Sequence, residues 1–190
     1  MDVENLLIMF AGAVWYALPA VTANQLPIFA KYFNILPSLA RPIDGGRLYR
    51  DGKPLFGKNK TYRGFIVACI GGIIVAIIQW KLLLIFPWLR RIHVVNIKEE
   101  YVPLFGFLAG FGAMTGDLIK SFFKRRAGVD PGKPWMPFDQ IDAAIGFLVF
   151  TSPLFVPPVT LVVVLIMVTI PLHIMTNLAG YYLGFKPSKL

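Results

Sequence analysis

Long runs of apolar residues constrain the fold of this chain more than any other feature of its sequence. Hydrophobic residues make up 56% of its 190 residues, and its mean hydropathy is +0.64. A helix needs about 20 apolar residues to cross roughly 30 Å of hydrocarbon. The sequence therefore predicts an all-α, multi-pass integral membrane protein. Its five predicted transmembrane helices lie at about 6–32, 64–86, 102–118, 141–155 and 159–178.

Two of the predicted spans are irregular. The first is long and contains Pro19 and Pro27, so we expect it to kink, since proline removes a hydrogen bond from the helix. The fourth is short and is bounded by Pro153 and Pro157. We therefore expect it to lie askew or to end early.

The basic residues are distributed unevenly along the chain. Of the 19 Lys and Arg residues, eight fall within 31–63, five within 120–133 and two within 186–190. Loops rich in Lys and Arg stay on the cytoplasmic side of a cell membrane. We therefore predict an outside N-terminus, a cytoplasmic C-terminus, and two basic cytoplasmic loops at about 33–63 and 119–138.

The net charge of +9 raises the question of nucleic-acid binding. The positive charge lies in two membrane-bounded loops, with no soluble binding domain between them, so no nucleic-acid partner is expected. Part of the charge serves topology and contact with lipid phosphates of the bilayer. We expect one membrane-embedded domain over residues 1–190.

Three aspartates lie where two predicted spans meet the second basic loop. Asp117 stands near the end of the third span, and Asp139 and Asp142 stand at the entrance to the fourth. A carboxylate at membrane depth is costly unless a metal ion or a Lys or Arg neutralises it. If the third span continues as helix beyond residue 118, one of its faces carries Asp117, Lys120, Ser121 and Lys124.

Clustered carboxylates in basic surroundings are typical of a magnesium–nucleotide site. Mg²⁺ binds few protein carboxylates and completes its coordination with water and substrate phosphates. His93 falls in an outer loop and His173 in the last span, so a histidine-based metal cluster is not supported. The sequence predicts Mg²⁺ held by Asp117, Asp139 and Asp142, at the boundary between membrane and cytoplasm.

A structural interpretation of the same residues stays open at this point. Asp117 would form an intramembrane ion pair with Lys120 or Lys124, and Asp139 would cap a helix. Nothing in the spacing alone separates a metal site from such an ion pair.

Two sequence blocks resemble the CTP-dependent phosphatidate cytidylyltransferases (CDP-diacylglycerol synthases). The first block consists of Gly116-Asp117-Leu118, Ser121, Lys124-Arg125, Gly128 and the closing Asp139-x-x-Asp142. The second is Lys60-Thr61-Tyr62-Arg63-Gly64-Phe65, with Gly71-Gly72 beyond it. The short chain and the Asp44-Gly45-Gly46-Arg47 loop resemble the archaeal branch of that family, the CDP-archaeol synthases. The resemblance covers about half of the chain, 42–72 and 110–153.

The sequence departs from the bacterial pattern at three places. Lys120 stands where the bacterial members carry an acid, and Gln140 stands where Arg is usual. The segment 134–137 replaces a His-Gly-Gly run. None of these changes touches the three aspartates, and they favour the archaeal branch.

The resemblance implies a cytidylyltransferase of membrane phospholipid biosynthesis whose active site faces the cytoplasm. It would use CTP, Mg²⁺ and an isoprenoid glycerol-phosphate ether lipid, and form CDP-2,3-bis-O-geranylgeranyl-glycerol and pyrophosphate. The implied catalytic residues are Asp117, Asp139, Asp142 and Lys124. The implied CTP- and phosphate-binding residues are Arg47, Lys58, Lys60, Thr61, Arg63, Ser121 and Arg125.

Three other activities are alternatives to this one. A diacyl lipid phosphate is the alternative substrate. A CDP-alcohol phosphotransferase needs a further aspartate pair soon after the first, and 143–150 contains no acid. A small transporter would use Asp117 for proton or ion coupling, with Asn24 and Asn177 along the transport path. Transport would not explain the basic, Gly-rich loops.

Overall fold

A computed structural model of the chain describes residues 2–130 and 133–185 and contains no strand within them. The all-α prediction is therefore confirmed for this part of the chain. Lys186 and Lys189, which belong to the predicted basic tail, lie outside the described residues. The helices are α1 (Val3–Tyr32), α2 (Tyr62–Ile85), α3 (Val102–Arg126), α4 (Phe138–Thr151) and α5 (Val159–Tyr182).

Four of these helices are long and apolar enough to cross a membrane: α1, α2, α5 and α3 together with the turn before it. Helix α4 has 14 residues and is only about 21 Å long. By length it falls short of a full span, in line with the prolines that follow it. Helix α1 continues through Pro19 and Pro27.

Helix α3 extends beyond the predicted end of the third span, from residue 118 to Arg126. Lys124, Arg125 and Arg126 form its last turn, where positive side chains stabilise the negative end of the helix dipole. The second connection therefore begins at residue 127 rather than 119. The extension places Asp117 and the basic residues after it on a single continuous helix.

Helices α3 and α4 are antiparallel and pack backbone to backbone through glycines. A Cβ on Gly112 would lie 2.5 Å from the carbonyl oxygen of Gly146, and one on Gly116 would collide with the carbonyl oxygen of Asp142. Small residues spaced four apart allow membrane helices this close approach. The contact places Asp142 of α4 beside Gly116 and Asp117, at the same level along the helix axes.

An aromatic cluster joins α1, α3 and α4 away from the end of the bundle where α3 ends. The ring of Tyr16 lies 4.7 Å from that of Phe147 and 6.1 Å from that of Phe105, between centroids. Tyr16 and Phe147 are buried, and the Tyr16 hydroxyl lies 3.4 Å from Oγ1 of Thr151. This core holds three helices together and leaves the space near the C-terminal end of α3 to polar side chains.

The connection between α1 and α2 is folded around the buried carboxylate of Asp44. Its Oδ2 accepts hydrogen bonds from the backbone N–H groups of Phe56 and Gly57, and its Oδ1 accepts one from Gly46, each at 3.0 Å. Burial raises the pKa of Asp44, but the hydrogen bonds from these N–H groups outweigh burial, so its pKa lies below the ordinary value. Asp44 thereby ties the two halves of this loop together next to α2.

Candidate active site

A cavity of about 700 Å³ lies under the folded loop, where α3 ends and α4 begins. Every predicted site residue except Arg47 lines this cavity. The first loop and α2 supply Lys58, Lys60, Thr61 and Arg63, α3 supplies Asp117, Ser121, Lys124 and Arg125, and α4 supplies Asp139 and Asp142.

The three aspartates converge on the ammonium group of Lys120. Its Nζ lies 3.0 Å from Oδ1 of Asp117, 2.7 Å from Oδ1 of Asp139 and 2.9 Å from Oδ2 of Asp142. Two of these carboxylates come from α4, so the lysine links the two helices. The helical spacing predicted that Lys120 shares a face with Asp117, but not that it lies at the centre of the cluster.

Two further lysines neutralise the same carboxylates. Lys60 at the entrance to α2 forms an ion pair with Asp117. Lys124 lies 3.0 Å from Oδ1 and 2.7 Å from Oδ2 of Asp139. Three carboxylates are thus balanced by three ammonium groups, and the ion pair between Asp117 and Lys120 envisaged from the sequence is present.

Backbone groups hold two of the aspartates in place. Asp139 accepts a hydrogen bond from the N–H of Trp135, and Asp142 accepts one at 2.6 Å from the N–H of Ala143. Such bonds limit the rotation of the carboxylates.

The donor set suits a hard divalent cation, but an ammonium group holds its centre. Among the described residues, no group of three His, Cys, Asp or Glu side chains is arranged as a metal site. Carboxylate oxygens are nevertheless the ligands that Mg²⁺ prefers, and three carboxylates surround one point at 2.7–3.0 Å. The chemistry of the site therefore fits Mg²⁺, provided that Lys120 moves away.

The wall beside the aspartates carries buried guanidinium groups. Arg125 is 6% exposed, and its Nε and Nη1 have no hydrogen-bond partner among the described residues. Arg63 is 8% exposed, and its Nη1 donates to the carbonyl oxygen of Ile35 at 3.4 Å. Buried N–H donors without partners are costly, and they are matched to an anion such as a phosphate.

Not every predicted residue is available to a ligand. Arg47 is exposed in the first loop and does not line the cavity. The hydroxyl of Thr61 accepts a hydrogen bond from the N–H of Gly64 at 3.2 Å and caps α2. Gln140, which was not among the predicted site residues, lines the cavity and is 3% exposed, and its Oε1 has no hydrogen-bond partner within the part of the chain that the structure describes.

The cavity continues between α1 and α5. Its wall there includes Asn24, Gln25, His173 and Asn177. A second cavity of about 40 Å³ shares Asn24, Gln25, Gln140 and His173 with it and is otherwise mostly apolar. Helix α5 is the least buried of the four long helices: 17% of its most apolar stretch is buried, against 39–44% in the others.

The fold is that of an intramembrane enzyme of known structure. A solved structure reported as giving insight into an intramembrane enzyme for archaeal membrane lipids biosynthesis superposes with a TM-score of 0.68 at 24% identity, covering 87% of this chain and 92% of that one. At this identity the likeness shows the shared fold alone.

The sequence comparisons then identify the family. The CarS-like family model, described as CDP-archaeol synthase, matches residues 5–189. A CDP-archaeol synthase of Thermococcus kodakarensis is 37% identical over 92% of both chains, and one of Pyrococcus furiosus is 36% identical over 92% of this chain and 94% of its own. One of Methanocaldococcus jannaschii is 33% identical over 94% and 96%. The chain belongs to the CDP-archaeol synthase family, which confirms the resemblance seen in the two sequence blocks.

Proposed function

We propose that this chain transfers the cytidylyl group of CTP to the phosphate of an isoprenoid glycerol ether lipid and releases pyrophosphate. The single observation that carries the proposal is the convergence of three carboxylates and several buried cations in one cavity that also extends between α1 and α5. Phosphoryl-type transfer requires positioning and charge neutralisation rather than a strongly reactive side chain. The names of the relatives support the same activity.

In the proposed reaction an oxygen of the lipid phosphate forms a bond to the α-phosphorus of CTP. The bond between that phosphorus and the oxygen bridging to the β-phosphate breaks, and pyrophosphate leaves with the electron pair. An ionised lipid phosphate needs no general base. Lys60, Lys124 and Arg125 would hold the triphosphate and the lipid phosphate in line and offset their negative charge.

Asp117, Asp139 and Asp142 would hold Mg²⁺ in the loaded enzyme. A divalent cation there supplies neutralisation of the phosphate charge as the leaving group departs. Lys60, Lys124 and Arg63 would position the phosphates. Ser121, which is 4% exposed, lines the cavity and would donate a hydrogen bond from its hydroxyl to a phosphate oxygen.

We further propose that residues 1–190 form one catalytic domain with five spans, an outside N-terminus, a cytoplasmic C-terminus and a cytoplasmic active site. The basic loops support this orientation. Helix α4 runs along α3 from the Lys124–Asp139 pair to the Phe111–Phe150 ring contact, whose centroids lie 5.1 Å apart. The segment 152–158 would complete its crossing before α5 begins.

The lipid would reach the site sideways, between α1, α4 and α5. Its phosphate would stand at the carboxylate cluster, and the first carbons of its chains would pass the small apolar cavity before the chains enter the bilayer. The low burial of α5, which leaves most of its apolar surface free to face lipid, supports entry at this side. The amide side chains of Gln25 and Gln140 lie where the glycerol oxygens would pass.

The test is a transfer assay with labelled CTP and the purified chain in detergent, followed by thin-layer chromatography of the lipids. We expect label in the lipid with the isoprenoid ether phosphate and Mg²⁺, loss of product with EDTA, and recovery when Mg²⁺ is restored. Diacyl phosphatidate in a parallel reaction distinguishes the two substrate classes. Absence of labelled product with either lipid would refute the proposal.

A further inference from the structure

We infer that Lys120 is an internal counter-cation that holds the carboxylate site closed until a nucleotide brings its metal ion. Its Nζ occupies the point at which Asp117, Asp139 and Asp142 meet, at 2.7–3.0 Å from an oxygen of each. Its side chain is only 13% exposed. A divalent ion that used all three carboxylates would need this same point.

The charge of the cluster argues against entry of a bare metal ion. The three aspartates are already balanced by Lys60, Lys120 and Lys124. A divalent ion added alone would leave two uncompensated positive charges in a buried site, which is costly at low dielectric. Buried Arg125 lines the same cavity and increases that cost.

A nucleoside triphosphate removes this electrostatic cost, because its negative charge compensates the positive charge of the metal ion that it brings. The ammonium of Lys120 sits on a flexible four-carbon stem, and the neighbouring cavity of about 700 Å³ gives it room to turn away from the carboxylates. There it would pair with the entering phosphates. Lys120 thus couples metal binding to nucleotide binding. It acts as a positioning residue that releases the three carboxylates and pairs with the phosphates of the nucleotide.

This inference rests on the proposed function for the identity of the nucleotide, but its first test does not. Mn²⁺ binding to the purified chain in detergent is followed by electron paramagnetic resonance, without lipid and without turnover. We expect weak binding to the unsubstituted chain, and binding at least about tenfold tighter, at one ion per chain, in Lys120→Met, where a buried carboxylate cluster loses its counter-charge. Lys120→Arg keeps the charge and should bind Mn²⁺ as weakly as the unsubstituted chain.

A second readout is thermal unfolding in the presence of EDTA. Lys120→Met should unfold at a lower temperature than the unsubstituted chain and should recover on addition of Mg²⁺, whereas the unsubstituted chain should respond little. Lys98→Met is the matched control, because Lys98 is an exposed lysine paired at 3.9 Å with Glu100, and it should change neither readout. If Lys120→Met does not fold, Lys120→Gln provides the same removal of charge.

The third readout is the effect of the nucleotide. Addition of α,β-methylene CTP should tighten Mn²⁺ binding to the unsubstituted chain much more than to Lys120→Met. Equal Mn²⁺ affinity of the two chains without nucleotide, or two ions bound per Lys120→Met chain, would overturn the inference. A failure of the proposed function looks different: the unsubstituted chain would form no labelled lipid, while the difference in Mn²⁺ affinity would persist.

Discussion

Lys124 on α3 lies within hydrogen-bonding distance of both carboxylate oxygens of Asp139 on α4, at 2.7 Å and 3.0 Å. The pair joins the last turns of one helix to the first turn of the next and closes one side of the cavity. Asp139 also accepts from Lys120 and from the backbone of Trp135. It is therefore the carboxylate with the most partners in the cluster.

Asp139→Asn should lower transfer from labelled CTP to the lipid by about 100-fold or more, because Lys124 loses its carboxylate partner, Lys120 loses one of three, and phosphate-binding groups lose their position. The assay is the rate of lipid labelling at saturating CTP. Asp130→Asn is the control, since Asp130 is an exposed aspartate whose ion pair, with Lys133 at 2.7 Å, lies at the protein surface. Equal losses in the two variants would contradict a role for Asp139 in the site.

Asp117→Asn and Asp142→Asn should each abolish transfer while the protein stays folded and monodisperse in detergent. Each change removes one negative charge from a donor set matched to a divalent cation. Lipid labelling measures activity, and size-exclusion chromatography checks folding. Turnover close to that of the unsubstituted chain in either variant would remove its aspartate from the proposed metal site.

Gly116→Val should separate α3 from α4 and disperse the cluster. A Cβ at this position collides with the carbonyl oxygen of Asp142, and overpacking of this kind destabilises a protein by about 1–3 kcal/mol or more. We expect a lower unfolding temperature and loss of transfer. Ile119→Val, at a position 53% exposed on the same helix, should leave both nearly unchanged. Unaltered activity of Gly116→Val would show that the close helix contact is not needed for the site.

Asp44→Asn should loosen the first loop at neutral pH, because the amide cannot accept the three backbone N–H bonds as the carboxylate does. Since the pKa of Asp44 is lowered on folding, its stabilisation is fully present above the ordinary value of 3.8 and is lost as pH falls through the lower folded value. In the unsubstituted chain the loop should therefore stay as stable at about pH 5 as it is at neutral pH.

The rate of cleavage by trypsin within the loop measures this loosening. It should rise in Asp44→Asn at pH 7 and rise less in Asp51→Asn, because Asp51 is an exposed loop aspartate that accepts one N–H, from Lys53, besides its ion pair with Arg126 at 2.9 Å. Equal cleavage rates in all three proteins would mean that Asp44 does not hold the loop.

Ala144→Leu should raise the KM for the lipid by about tenfold with little effect on the KM for CTP, because it fills the small cavity between α1, α4 and α5. Ala144 is buried at 6% exposure. Val149→Leu, on the same helix but 60% exposed, is the control. An unchanged lipid KM in Ala144→Leu would place the lipid chains elsewhere.

Much of the site was predictable because its residues lie close together along the chain. The spacing of Asp117, Ser121 and Lys124 predicted a shared helix face, and α3 does continue to Arg126. Asp139 and Asp142 follow at the start of α4, so a short connection was enough to bring them near Asp117. Arg47 lies apart from the cavity because its loop folds around Asp44, a contact between distant positions that spacing does not reveal.

The sequence by itself determined the helices and their membrane setting, because the backbone in lipid must satisfy its hydrogen bonds within each apolar segment. It also determined which charges stand near the membrane boundary. Only the tertiary structure decided which cation meets which carboxylate. The pairing depends on the glycine contact between α3 and α4, which sets the position of Asp142 along α3. That position leaves the ammonium of Lys120 at the centre of the three carboxylates.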